Sequence, residues 1–200
     1  DPARIGDPFT SDEKKGREAY AKMLEIKEKI GYISIPKINQ EIPIKAGTEK
    51  SILEECAGHM EGTSLPIGGK GTHSVITAHR GLPNKRLFTD LDKLEKGDLF
   101  HITNIKETLT YKVDQILVVE PDDFEQVLVV ESKDYITLLT CTPYMVNSHR
   151  LLVRGVRTEY IKKSVDEQSN KNKPFLTENN LIMIATIFFD ILILIIYWLI

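Results

Sequence analysis

Cys141 is the residue for which the sequence offers the most direct covalent chemistry. It follows the apolar run "YITLL" and Thr140, and it precedes Pro143, a polar stretch and Arg150. A cysteine thiolate attacks carbonyl carbons, and an arginine stays positively charged and can stabilise the resulting oxyanion. The segment therefore predicts acyl transfer at Cys141. The alternative is a small apolar cysteine buried at the end of a strand, the usual environment of a free cysteine.

A nucleophilic cysteine needs a base or a cation nearby, and the chain has five histidines that could supply it. His79 ends the predicted strand "HSVITAH" and opens a loop, which is where catalytic side chains are often found. His149 is closer to Cys141 along the chain, in a loop that leads into another predicted strand. We favour His79, but spacing along the chain leaves the choice open because the pairing is spatial. The remaining candidates are His59, His73 and His101.

The composition argues against several other kinds of function. The chain has 200 residues, 29 acidic and 26 basic side chains and a net charge of -3, so it lacks the basic excess of nucleic-acid-binding proteins. Its two cysteines could form one disulfide but not a disulfide-rich scaffold. Cys56 with His59 gives too few ligands for a metal site, and Cys56 is interpreted as a helix residue facing a core. No metal and no cofactor are predicted.

The elements that must position Cys141 and the histidines are mostly short strands. Residues 11–30 show helical spacing of apolar residues, with Ser11 as the cap and Gly31 at the end. After Gly31 the period changes to the alternation of strands, with one short helix candidate in "SILEECAGH". This spacing of strands predicts an all-β barrel or sandwich. The predicted strands lie in "YISIPKINQEIPIKAG", "HSVITAH", "LDKLEKGDLFHIT", "ETLTYKVDQILVVEP", "DYITLLTC" and "HRLLVRGVRTEY".

The C-terminal part of the sequence predicts attachment to a membrane. Residues 181–200 are apolar on every helical face and carry one charge, Asp190, and about 20 such residues span a bilayer. The polar residues 161–180 are interpreted as a juxtamembrane linker. Because the chain has neither an initial Met nor a signal peptide, we expect it to be a fragment of a longer precursor.

Three separated motifs resemble those of the sortases. "TLLTCTPYMVNSHRLLVRG" is similar to their cysteine and arginine segment, "VITAHRG" to their histidine segment, and "GYISIPKINQEIPIKAG" to their first strands. The tripeptide "DPF" and the C-terminal apolar segment resemble features of class C, the pilus-assembling sortases. The resemblance implies a mainly β fold: a closed barrel of about eight strands with short helices, an N-terminal lid and helix, and a C-terminal transmembrane helix. The implied domains are a lid over residues 1–15, a catalytic domain over 16–160, a linker over 161–180 and a membrane helix over 181–200.

The resemblance also assigns roles to residues. It makes Cys141 the nucleophile, His79 the general acid and base, and Arg150 the charge-stabilising arginine, and it gives Thr140 a substrate-binding role. An acidic lid residue could pair with Arg150, and an aromatic ring could lie against the sulfur of Cys141. The lid residues implied in this way are Asp7, Pro8 and Phe9.

The function implied by the resemblance is that of a cysteine transpeptidase on the extracellular face of a Gram-positive cell membrane. Such an enzyme cleaves an LPxTG-like sorting signal between Thr and Gly and joins pilin subunits through a lysine isopeptide bond. Its partners are pilin subunits that carry sorting signals and acceptor lysines, and the lipid bilayer. One alternative is a housekeeping-type sortase that attaches proteins to a cell-wall precursor. Another is a non-catalytic β-barrel binding module in which Cys141 is inert.

Overall fold

The computed structural model describes residues 29–159. The predicted lid residues Asp7, Pro8 and Phe9, the linker 161–180 and the membrane segment 181–200 lie outside the described residues. Within residues 29–159, no helix combines the length and the apolar character needed to cross a bilayer.

Eight strands form a closed barrel in the described part of the chain, in the order β1-β2-β3-β4-β7-β8-β6-β5. The prediction of a mainly β barrel with short helices is therefore confirmed. The helices are α1 (Lys50–Leu53) and one-turn 3-10 helices at Pro36–Ile38, Leu91–Lys93 and Glu125–Val127. The strands are β1 (Lys29–Ile35), β2 (Gln40–Ala46), β3 (Ala57–His59), β4 (Thr72–Thr77), β5 (Leu99–Thr103), β6 (Thr108–Val119), β7 (Asp134–Thr142) and β8 (His149–Thr158).

The interior of the barrel is filled by alternate apolar side chains of its strands, which we call the interior core. In β1, for example, Ile33 and Ile35 are fully buried while Ser34 between them is half-buried, the period of two that strands impose. The rings of Phe100 and Tyr111 stack in this core with centroids 5.7 Å apart. Gly155 of β8 lies against them, and a Cβ there would come within 2.6 Å of the Phe100 ring. A small barrel of this kind is a packed body and not a channel.

A second apolar cluster covers the outer face of the sheet where β4, β7 and β8 are neighbours. We call it the outer-face cluster. Phe124, in the connection between β6 and β7, packs against it, so this connection covers part of the outer face. The members of the cluster are Met60, Val75, Val127, Leu139 and Leu152.

β4 and β7 are parallel, so their C-terminal ends lie at the same edge of the sheet. Their register runs from Thr72 opposite Asp134 to Thr77 opposite Leu139. Parallel strands cannot be joined by a hairpin, and here the long excursion through β5 and β6 connects them. Because both strands run in the same direction, the residues that follow Thr77 and Leu139 emerge at the same edge of the sheet.

Two boundaries differ from the sequence-based prediction. The helix predicted over residues 11–30 is wrong at its end, because Lys29 and Ile30 belong to β1. Gly31 lies inside this strand, where a Cβ would come within 2.4 Å of the carbonyl oxygen of Thr103 on β5. The glycine therefore permits close strand pairing and does not cap a helix.

The segment "SILEECAGH" also differs from its prediction as a single helix. Only α1 is helical, and Ala57–His59 forms β3, parallel to β2. Cys56 lies at the bend between these elements, 3% exposed, with its Sγ 3.5 Å from the carbonyl oxygen of Ile52. Its predicted burial is confirmed, but it lies just after the helix rather than within it.

Candidate active site

Cys141 and Arg150 are cross-strand neighbours in the antiparallel pair β7–β8. The register places Cys141 directly opposite Arg150, and Leu139 directly opposite Leu152. Residues directly opposite in an antiparallel pair point to the same face, with Cβ atoms ~4.5–5.5 Å apart. Leu139 and Leu152 belong to the outer-face cluster, so the alternation of strands puts Cys141 and Arg150 on this outer face as well.

His79 reaches the same edge of the sheet through the parallel pair β4–β7. Beyond Thr77, the Ala78 N–H donates to the Leu139 carbonyl oxygen at 3.3 Å, and the Thr140 hydroxyl donates to the Ala78 carbonyl oxygen at 2.7 Å. These two hydrogen bonds continue the alignment of the β4 and β7 segments beyond the end of β4. The next residues in this alignment are His79 and Cys141, so the backbone pairing places His79 beside Cys141, which lies opposite Arg150.

His149 lies close to Cys141 but points away from it. It is opposite Thr142 in the β7–β8 register, and alternation along β8 directs its side chain to the face opposite that of Arg150. Its Nε2 lies 3.2 Å from a carboxylate oxygen of Glu120, and its Nδ1 lies 2.8 Å from the Ser148 hydroxyl. This histidine therefore joins the β7–β8 loop to the end of β6.

The other three histidines lie in structural hydrogen-bond networks. His59 is fully buried, with its Nε2 2.8 Å from the Ser64 carbonyl oxygen, and burial lowers its pKa to about 4. His73 bridges the Leu128 carbonyl oxygen and the Thr137 hydroxyl, and burial lowers its pKa as well. The ring of His101 contacts the Thr110 hydroxyl. Each of the three is thus engaged away from Cys141.

Burial is the main influence on the charge of His79. It lowers the pKa of the imidazole below its ordinary value, while the carboxylate of Glu54 raises the pKa and the ammonium of Lys50 lowers it. A lowered pKa favours the neutral imidazole at pH 7. A neutral imidazole can accept a proton from a thiol, and the resulting imidazolium can later donate it.

Arg150 is fixed in place by backbone carbonyls. It is 5% exposed, and one of its terminal nitrogens donates to the carbonyl oxygens of Asn147 and His149, both at 3.1 Å. Arg150 lies on the same face of the sheet as Cys141, and a buried guanidinium offers several donors in a rigid plane. Charge that develops on an oxygen beside the sulfur would be stabilised by this group.

The β7–β8 loop lines the exposed side of the site. It turns back through Met145 and Asn147, which have positive φ angles of 66° and 61°. Tyr144, Met145 and Val146 are 51%, 70% and 68% exposed. A Cβ at Gly81, in the loop that follows His79, would come within 3.4 Å of both Tyr144 and Met145. The loops after β4 and after β7 therefore touch each other beside Cys141.

Thr140 occupies a different position from the other predicted site residues. It is fully buried, and its hydroxyl is the donor to Ala78 described above. It thus links the strand that carries Cys141 to the residue before His79, and its substrate contact remains a prediction. Sequence reasoning missed Arg80, whose side chain is 7% exposed and which lies directly after His79. Its position in "HRG" was the available signal, because a positive charge next to a candidate base can change the protonation of that base.

The family model of the sortase domain matches residues 33–158. The chain is 35% identical to sortase A of Bacillus anthracis over 133 residues, which are 66% of this chain and 61% of that protein. It is 28% identical to sortase D of Bacillus subtilis over 139 residues, 70% of this chain and 66% of that protein. The chain therefore spans roughly three fifths to two thirds of the length of these relatives.

Solved structures are more similar in sequence. Sortase C of Streptococcus pneumoniae is 57% identical with a TM-score of 0.72, and the match covers 80% of each chain. A pilus-related sortase C of Group B Streptococcus is 59% identical with a TM-score of 0.74, covering 80% of this chain and 82% of that one.

Proposed function

The chain belongs to the sortase family of transpeptidases, within class C, and we propose that it joins proteins through a thioacyl intermediate on Cys141. In this proposal His79 is the general acid and base, and Arg150 stabilises the charge that develops on the substrate carbonyl. The observation that carries the proposal is the register of the strands: Cys141 lies directly opposite Arg150 and in step with His79.

The first step is acylation. The Cys141 thiol gives its proton to His79, and the thiolate attacks the carbonyl carbon between Thr and Gly of an LPxTG-like sorting signal. The guanidinium of Arg150 stabilises the oxyanion of the tetrahedral intermediate. The carbon–nitrogen bond then breaks, and His79 donates its proton to the leaving amine, which an amide requires because it cannot leave as an anion. The products are a thioester on Cys141 and a free amino terminus.

The second step transfers the acyl group to a lysine amine. The amine gives up a proton to His79 and attacks the thioester carbon, and the carbon–sulfur bond breaks to regenerate the thiolate and then the thiol. The new bond is an isopeptide bond, so repeated turnover would lengthen a chain of pilin subunits. The proposed partners are pilin subunits with sorting signals and acceptor lysines.

The outer-face cluster lies next to the site. Leu139 and Leu152 follow Cys141 and Arg150 on the same face, and both are buried in a cluster with Val127 of the β6–β7 connection. In this proposal the sorting signal therefore lies along the edge of that connection, with its scissile carbonyl near Cys141, and does not contact the two leucines.

The proposal includes the environment of the enzyme. We propose that residues 181–200 anchor the chain in the cell membrane of a Gram-positive bacterium, with the catalytic barrel on the extracellular face. We also propose that Asp7, Pro8 and Phe9 form a lid over Cys141 that restricts access to the site. Both features concern residues outside the described part and rest on the sequence.

Mass spectrometry of the full chain mixed with an LPxTG-like peptide tests the nucleophile. We expect an acyl adduct on Cys141, no adduct with Cys141→Ala, and an unchanged adduct with Cys56→Ala, which removes the other buried thiol. Replacement of Asp7 and Phe9 by Ala should accelerate formation of the adduct. The absence of an adduct in both the unaltered chain and the lid variant would overturn the proposal and favour the non-catalytic β-barrel.

The acceptor is tested with the acyl-enzyme. A peptide with a pilin-type lysine should release the acyl group and form an isopeptide product, and an amine that mimics a cell-wall precursor should be slower. The reverse preference would identify a housekeeping-type sortase and overturn the assignment of pilin as the acceptor.

A further inference from the structure

Arg80 is a buried cation that immediately follows the proposed acid–base residue. Its side chain is only 7% exposed. A buried guanidinium is costly unless its N–H groups donate hydrogen bonds, so the partners of Arg80 matter to the fold. Three groups accept its hydrogen bonds: Nε donates to the Thr89 carbonyl oxygen at 3.0 Å, one terminal nitrogen to the Asp92 carboxylate at 2.5 Å, and the other to the Thr142 hydroxyl at 3.3 Å.

The three acceptors belong to different parts of the site. Thr89 lies at the far end of the loop that begins at His79, Asp92 lies on the 3-10 helix Leu91–Lys93, and Thr142 is the residue after Cys141. The loop is also closed on itself, since the Phe88 N–H donates to the His79 carbonyl oxygen at 3.2 Å. Arg80 therefore connects the start of the histidine loop both to the end of that loop and to β7, the strand that carries Cys141.

The link to Thr142 has a specific place in the register. Ala78 and Thr140 are joined by a hydrogen bond of 2.7 Å, one residue before His79 and Cys141. Arg80 and Thr142 are joined one residue after them. The two reactive residues are thus bracketed on both sides by hydrogen bonds between the segments that carry them.

We propose that Arg80 is a positioning residue that holds His79 at its working distance from Cys141 through its hydrogen bond to Thr142. The inference rests on the proposed transpeptidase and adds a residue to its machinery. The planar guanidinium suits this task because it reaches three acceptors in fixed directions at once, which the single ammonium of a lysine cannot do. The ladder of β4 and β7 has ended by this point, so a side chain takes over the alignment that the backbone provides earlier.

The test compares Arg80→Lys and Thr142→Val with Arg86→Lys in the full chain. Arg80→Lys keeps the charge but loses the planar fork, and Thr142→Val removes only the acceptor while it preserves the shape of the side chain. Arg86 is the matched control because it lies in the same loop, is 65% exposed and pairs only locally with Asp90. The measurements are kcat and KM for acylation by an LPxTG-like peptide, and the rate of Cys141 alkylation by iodoacetamide against pH.

We expect kcat to fall about 10- to 100-fold in Arg80→Lys and about 3- to 10-fold in Thr142→Val, with KM within about twofold of the unaltered chain. The alkylation profile of Cys141 should shift to higher pH in both variants, because a more distant His79 accepts the proton of the thiol less readily. Arg86→Lys should match the unaltered chain in both measurements. A purely structural role would lower the midpoint of thermal unfolding without moving the pH profile.

The outcomes separate the inference from the function on which it rests. If neither the unaltered chain nor the variant with Asp7 and Phe9 replaced by Ala forms an acyl adduct, the proposed function and this inference are both overturned. If an adduct forms, and both Arg80→Lys and Thr142→Val keep the kcat and the alkylation profile of the parent chain, only the role of Arg80 is overturned. Should Arg80→Lys fold poorly, Thr142→Val alone decides, since it leaves the arginine and its contacts with Thr89 and Asp92 in place.

Discussion

The interior core and the outer-face cluster are both apolar and buried, but they differ in what surrounds them. The interior core is closed on all sides by the barrel, and its large rings, Phe100 and Tyr111, lie fully buried against each other. The outer-face cluster is small and is bordered by buried and half-buried polar groups. His73 joins Thr137 to the β6–β7 connection, and Arg154 donates two hydrogen bonds to Asp114 beside them.

One of these regions mainly stabilises the fold, and the other mainly shapes the site. A packed interior contributes free energy in proportion to the apolar area that it buries. The outer-face cluster buries less, but Leu139 and Leu152 are in line with Cys141 and Arg150 on the same two strands. We therefore expect mutations inside the barrel to act mainly on stability, and mutations on the outer face to act mainly on turnover.

The largest expected effect is a loss of stability from the interior. Phe100→Ala should lower the free energy of unfolding by about 3–5 kcal/mol, because it removes a fully buried ring and leaves a cavity against Tyr111. Urea denaturation measures this effect, and Ile105→Ala serves as the control because Ile105 is 78% exposed. A loss below about 1 kcal/mol for Phe100→Ala would show that the interior does not dominate stability.

The next effect is acid destabilisation that originates at a buried histidine of β3. The pKa of His59 is about 4 because the ring is fully buried, while an unfolded chain binds the proton near pH 6.5. The unfolded state therefore takes up a proton first, and stability should fall as pH drops from about 6.5 to about 4, by about 3 kcal/mol over the whole window. Urea denaturation at several pH values measures this slope.

His59→Gln is the variant that isolates the effect. Glutamine can still donate to the Ser64 carbonyl oxygen, which His59 now contacts, but it does not titrate. The slope between pH 6.5 and pH 4 should become shallower, with a remainder from His73, His79 and His101, whose pKa values burial also lowers. An unchanged slope would show that acid acts elsewhere in the molecule.

Much of this organisation could be predicted from the sequence because the strands alternate in polarity. The periodicity of "DYITLLTC" and "HRLLVRG" marks β7 and β8, and the resemblance to sortases identified Cys141, His79 and Arg150 as candidates. Periodicity could not reveal β3, since "AGH" is short and its buried His59 is polar.

The register was also beyond sequence reasoning. That Cys141 faces Arg150 follows from the pairing of β7 with β8, and that His79 comes into step with Cys141 follows from the parallel pairing of β4 with β7. The position of Arg80 depends on the same pairing, since its acceptor Thr142 is far away along the chain. Contacts between distant segments are set by topology, which local pattern does not encode.

The third prediction concerns the outer-face cluster. Val127→Ala should lower the free energy of unfolding by only about 1–2 kcal/mol, since two methyl groups are lost from a small cluster. The β6–β7 connection should then pack less firmly beside Cys141, and kcat/KM for an LPxTG-like peptide should fall about three- to tenfold. Val129→Ala is the control in the same connection, because Val129 is 53% exposed. Equal activity in the two variants would separate the outer-face cluster from the site.

The smallest expected effect comes from the ion pair at the rim of the site. Glu120 is 67% exposed and lies 3.2 Å from His149, which carries charge only when protonated. Solvent and salt screen such a pair, so Glu120→Gln should change the free energy of unfolding by less than about 0.5 kcal/mol, and less still in 1 M salt. Urea denaturation at low and high salt measures the difference, with Glu125→Gln as the exposed control in the same connection. His149 and Arg150 are consecutive, so this pair lies at the rim of the site. A loss above about 2 kcal/mol for Glu120→Gln would mean that the rim contributes as much to the free energy of unfolding as the interior does. In that case the contrast between a stabilising interior and a shaping outer face would not hold.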